Sequence, residues 1–146
     1  MAVRDVAAFI LQRAGPMTAM KLQKLVYYSQ AWSLVWDERP LFNEPIQAWA
    51  NGPVCPALYN EHRGRFRVAP GEIVGNPELL DRDAQDTVNG VLTYYGNKTA
   101  QWLSDLTHAE NPWREARGNL AAGAHCAQEI TQAAMAEYYS ALPSDA

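Results

Sequence analysis

Apolar residues recur along this chain mainly at helical spacing, and a single stretch alternates with period two. Over residues 2–14, Val3, Val6, Phe9, Ile10 and Ala14 share one stripe, which Gly15-Pro16 ends. A second helix is predicted from Thr18, a good N-cap, to about residue 36. Leu22, Leu25, Val26, Ser29, Trp32 and Val35 or Trp36 form its buried face, with Lys21, Lys24 and Gln30 elsewhere on its circumference. Residues 37–45 carry two prolines and read as a loop whose Leu41 and Phe42 tuck onto the core. A very short strand at 46–48 leads into Asn51-Gly52-Pro53, and a third helix is expected over 53–62.

The alternating stretch is Arg65-Phe66-Arg67-Val68. With the turn signal Pro70-Gly71 and a return through Ile73-Val74, it predicts a small hairpin over 65–74 that would resemble a wing. Asp81 or Asp83 then caps a helix reaching Tyr95, Thr99 opens a short one through Leu106, and Asn111-Pro112 opens another to Arg117. Small residues at 118–123 make a loop. A last helix over 124–142 turns Ile130, Ala134, Met135, Tyr138 and Leu142 inward. The expected fold is mainly α: one compact helical domain spanning 1–146, with six or seven helices and one β-hairpin.

Composition narrows the class. At 146 residues the chain can bury roughly 70% of its extended surface without staples. With 48% hydrophobic and 19% charged residues it is neither disordered nor membrane-spanning in pattern. The net charge of −4 argues against a general nucleic-acid binder. That average hides an asymmetry: residues 1–67 hold 8 Lys/Arg against 5 acids, the remainder 4 against 11. Cys55 and Cys126 stand alone, without CxxC or framework spacing, so a reducing, cytoplasmic compartment is expected.

Catalytic chemistry finds little support. No GxSxG elbow and no GxGxxG cradle is present, and Asp81, Asp83 and Asp86 fit a helix start. The three His and two Cys offer a conceivable zinc site from Cys55, His62 and His108, or a hydrolase centre at Cys55 or His108, and adjacent His125 and Cys126 would diverge on a helix. No catalytic, cofactor-binding or metal residue is therefore nominated, and the chain is not expected to be an enzyme. Two constellations remain. Arg63, Arg65 and Arg67 bracket Phe66 and could grip phosphates or an acidic protein surface. The segment 103–117 groups Thr107, His108, Glu110 and Arg117 around Trp113, suited to fixing two short helices against each other.

The blocks Lys21-Leu22-Gln23-Lys24-Leu25-Val26-Tyr27-Tyr28, Pro40-Leu41-Phe42, Ile46-Gln47-Ala48-Trp49-Ala50-Asn51-Gly52-Pro53-Val54-Cys55-Pro56-Ala57-Leu58-Tyr59, and Leu106-Thr107-His108 through Trp113 to Ala116-Arg117 resemble, in order and spacing, the Panacea-domain family. These are SocA-like antitoxins, which include phage-associated GepA-type proteins. Asn51 departs from the aromatic or His common before Gly-Pro. The resemblance implies a helical antitoxin of a type II-like toxin–antitoxin pair that neutralises its cognate toxin by direct contact. A Clp-type protease is a further expected partner; nucleic acid and membrane are not. It also implies a scaffold role for Trp49, Gly52, Pro53, Thr107, His108, Trp113 and Arg117. Gln23, Lys24 and Tyr27, expected on an exposed helix side, and the arginine triplet are nominated as partner contacts. Two alternatives stand beside this reading: a winged-helix-like nucleic-acid regulator using the arginine hairpin, and a phage inhibitor of a host defence protein.

Overall fold

Between Lys21 and Asp37 the sequence holds a single charge, Lys24, and the fold accounts for that scarcity. In the computed structural model, which describes residues 1–143, helix α2 (Ala19–Trp36) runs through the centre of the molecule and residues 22–31 are all buried. A helix covered on every side cannot keep a polar face. Its N-cap is Thr18, whose hydroxyl accepts from the Lys21 N–H at 3.1 Å. Around it pack α1 (Val3–Ala14), α4 (Arg82–Tyr95), α5 (Ala100–His108) and α7 (Gln132–Ser140), while α3 (Pro56–His62) packs on α1 and α6 (Asn111–Arg117) on α5 and α7. The architecture is mainly α, as expected. No helix among the described residues is long and apolar enough to cross a membrane.

The local caps act where the sequence places them. Asp81 caps α4, accepting from the Ala84 N–H, and Thr99 caps α5, accepting from the Trp102 N–H. Asp5 is buried at the start of α1, where one carboxylate oxygen accepts from Ala2 N–H and the other from Asn76 N–H, both at 2.8 Å.

Two small antiparallel sheets complete the fold. Strands β2 (Ile46–Trp49) and β3 (Gly52–Val54) form a hairpin, and β5 (Glu129–Ile130) adds to the other edge of β2, Ile46 facing Ile130. The second sheet pairs β1 (Met17–Thr18) with β4 (Arg67–Val68).

That pairing corrects the expected hairpin over 65–74. The Ala69–Glu72 turn forms, with Gly71 at φ +87°, but Val68 returns to Met17 rather than to Ile73. Residues 73–76 are instead drawn to α1: Ile73 is buried, Asn76 bonds Asp5, and a Cβ on Gly75 would fall 2.3 Å from the Arg4 carbonyl oxygen. Three boundaries also move. Helix α3 starts at Pro56, because Pro53 is occupied in β3; Glu110 rather than Asn111 caps α6; and α7 starts only after Thr131, since β5 takes residues 129–130. The expected exposure of Gln23, Lys24 and Tyr27 on α2 is overturned, since all three are buried, as is Gln30 off the predicted apolar face.

Candidate functional site

The N-terminal half of α2, the β2–β3 hairpin, α3 and the loop before β4 enclose an open cavity of about 640 Å³. Its lining includes Gln23 and Lys24 from α2, Trp49 and Asn51 from the hairpin, Tyr59 and His62 from α3, and Arg65 and Phe66 from the loop. Gly123 and His125 close one side from the segment before β5. No Asp or Glu lines it.

Gln23 fixes the wall chemically. Its Oε1 accepts the Cys55 N–H at 2.9 Å, and its Nε2 donates to the Cys55 carbonyl at 3.3 Å. The Cys55 amide can only donate, so the orientation of the Gln23 amide is determined. Its NH₂ therefore faces His62 Nε2 at 2.9 Å, which must accept, and the His62 proton resides on Nδ1. Burial, with the charge of Lys24 as a smaller contribution, holds this imidazole below its ordinary pKa. His62 is thus a neutral, oriented wall. Tyr59 stands edge-on to it at 5.4 Å and edge-on to Trp49 at 5.1 Å.

Lys24 forms the floor. Its side chain is 1% exposed, its ammonium has no hydrogen-bond partner among the described residues, and burial pulls its pKa down to about 8. Gly52 makes room for it: a Cβ there would lie 2.5 Å from Lys24 Cε, 3.3 Å from its Nζ and 3.0 Å from Thr107 Oγ1. The backbone at Gly52 also has φ +120°, a region closed to other residues.

The presumed scaffold residues converge behind the hairpin. Trp113 Nε1 donates to the Trp49 carbonyl at 2.8 Å, and Ser104 Oγ donates to that of Asn51 at 2.7 Å. Arg117 donates to the carbonyls of Ala48, Ala121 and Ala124, joining hairpin to loop while its guanidinium lies over the Trp113 ring. His108 stacks on Trp113 at 4.1 Å. Its Nε2 is buried without a partner, and burial, then Lys24, keeps its pKa low. Pro53, in β3 opposite Ala48, is buried.

Three of the four motif blocks thus meet at the hairpin, with Gln23 and Lys24 on one side and Trp113 and Arg117 on the other, while Leu41 and Phe42 bond to Gln30 of α2. Residues 22–114 match the family described as "Antitoxin SocA-like, Panacea domain". The chain belongs to that family. Antitoxin SocA of Caulobacter vibrioides (strain NA1000 / CB15N) is 29% identical over 126 residues, covering 75% of this chain and 67% of that protein. No solved structure matches. Membership of the SocA-like family supports an antitoxin role. The matched span contains Lys24, Gly52, His62 and Trp113, whereas Gly123 and His125 lie beyond it.

The sequence-nominated contacts separate in space. Tyr27 is remote from any surface, its hydroxyl 3.0 Å from that of Tyr139. Gln23 and Lys24 reach the cavity from within. Arg63, Arg65 and Arg67 are exposed, with Arg65 paired to Glu72. Cys55, His62 and His108 do not assemble: no group of three potential metal ligands occurs among the described residues. Sequence reasoning missed the cavity itself. Its signal was Lys24, the single charge between Lys21 and Asp37, which an amphipathic reading assigned to solvent.

Proposed function

We propose that this SocA-like protein neutralises a cognate toxin by direct protein–protein contact. The carrying observation is the family match over residues 22–114. The geometry agrees with a binding role: an open cavity walled by aromatic rings, with Phe66 80% exposed at its mouth, offers the kind of anchor surface that protein interfaces favour. The arginines beside Phe66 supply a basic rim.

Expression of the neighbouring gene's product should arrest growth, co-expression of this chain should restore it, and the two should co-elute on size exclusion. A neighbour that is harmless, or one that this chain neither rescues nor binds, overturns the reading. Delivery of the toxin to a Clp-type protease is the second part of the proposal. It predicts a shorter toxin half-life in the presence of both this chain and the protease than with the protease alone.

A further inference from the structure

A buried ammonium facing a cavity without an acid is an unpaired charge, and such charges persist in folded proteins where something pairs them. The Lys24 side chain passes beside Gly52, and nothing among the described residues accepts a hydrogen bond from its Nζ. The surrounding groups do not compensate it. His62 is neutral and spent on Gln23, Arg65 is a second cation held by Glu72, and His125 is a further basic group at the side. Trp49, Tyr59 and Phe66 line the open cavity above Lys24 with aromatic surface.

We infer that the cavity over Lys24 receives a carboxylate side chain of the toxin, an Asp or Glu inserted between Trp49, Tyr59 and Phe66 to pair with the ammonium. This rests on the toxin-binding reading above. A single point cation at the floor matches a monoanion. A phosphate dianion would meet neither a guanidinium fork at the floor nor a second buried cation, and would remain undercompensated. The exposed Phe66 at the mouth favours an acid presented on a protein surface over a free small acid, because its ring needs apolar cover that a small acid lacks.

The test uses the full chain and its toxin. Lys24→Met and Lys24→Gln are each measured for thermal stability alone and for toxin affinity by calorimetry. Removing an uncompensated buried charge should leave Tm equal or higher while toxin affinity falls at least tenfold. A purely structural lysine would lower Tm instead. One Asp→Asn or Glu→Gln in the toxin should reproduce the loss against the wild-type chain and add less than twofold against Lys24→Met. A wild-type complex that both variants retain within twofold overturns this inference and leaves the toxin-binding reading intact. Absence of any wild-type complex overturns both. Millimolar inorganic phosphate that stabilises the wild type but not Lys24→Met, and displaces the toxin, reassigns the cavity to a free anion and overturns the inference.

Should the lysine variants fail to fold, ¹⁵N-labelled lysine in the wild-type chain decides. With Tyr59, His62, His108, His125 and Arg65 as the other ionisable groups around the cavity, toxin binding should keep Lys24 protonated to higher pH than in the free protein. An unchanged titration in the complex overturns the inference.

Discussion

Lys24 costs this fold stability at neutral pH. Its ammonium is charged in the unfolded chain up to pH 10.5 and in the folded chain only to about 8, a difference of about 3 kcal/mol. Below pH 8 both states hold the proton and the penalty is fully felt. Between pH 8 and 10.5 the unfolded state binds more protons, so this group's contribution to stability rises with pH. Burial raises the pKa of Cys55 and of Tyr27, Tyr28, Tyr95 and Tyr139, which acts in the opposite direction above about pH 9 to 10. The difference between wild type and Lys24→Met isolates the lysine. Chemical denaturation should find the variant at least as stable as the wild type at pH 7, with its stability relative to the wild type falling as pH rises past 8. A gap that stays constant from pH 7 to 10 would mean that Lys24 is not desolvated.

The buried carboxyl of Glu110 is managed differently. Glu110 Oε1 accepts from Tyr28 at 2.6 Å and from Tyr139 at 2.8 Å, and Tyr139 is also within 3.0 Å of the Tyr27 hydroxyl. Burial raises the Glu110 pKa, and the two hydroxyls partly oppose that. Tyr139→Phe removes one donor to the carboxylate without opening a cavity. A loss of about 1–3 kcal/mol is expected, together with faster amide exchange in α7, the helix that this hydroxyl ties to α2.

At the scale of elements, the helices were legible because their signals are local. Thr18, Asp81 and Thr99 cap the helices that they precede, and each cap lies within three residues of the N–H it accepts. Strand pairing was not legible for the opposite reason. The partner of Val68 is Met17 and that of Ile46 is Ile130, so no window of sequence contains both members. Hence the alternation at 65–68 was read as half of a local hairpin, while the real hairpin, β2–β3, which turns through Ala50 and Asn51, showed only as a short strand. The site followed the same division. The residues behind the hairpin were found through their motif blocks, but the cavity depends on α2 being covered on all sides, which is a tertiary fact. Arg117 is the element-scale joint. Arg117→Met would leave the Ala48, Ala121 and Ala124 carbonyls without this donor. Limited proteolysis should then cut within residues 118–128 faster than in the wild type, and stability should fall by about 2–4 kcal/mol.

Over the whole molecule, the excess of basic residues in the first 67 positions acquires a location. Arg65 lines the cavity, and Arg63 and Arg67 flank it in sequence as exposed residues, on a chain whose net charge is −4. Glu72 already engages Arg65, whereas Arg63 and Arg67 are exposed and form no ion pair among the described residues. Such charges contribute little to folding and act mainly on encounter with an oppositely charged partner. Arg63→Glu combined with Arg67→Glu should therefore leave the unfolding free energy within about 0.5 kcal/mol of the wild type. In stopped-flow mixing with the toxin, the association rate should fall roughly tenfold at low salt, and the two rates should converge as ionic strength rises. The rim and the floor thus predict different kinetic signatures: reversal of the rim slows arrival, whereas neutralising Lys24 speeds departure. A rim variant that changed only the dissociation rate would place the arginines inside the contact rather than around it.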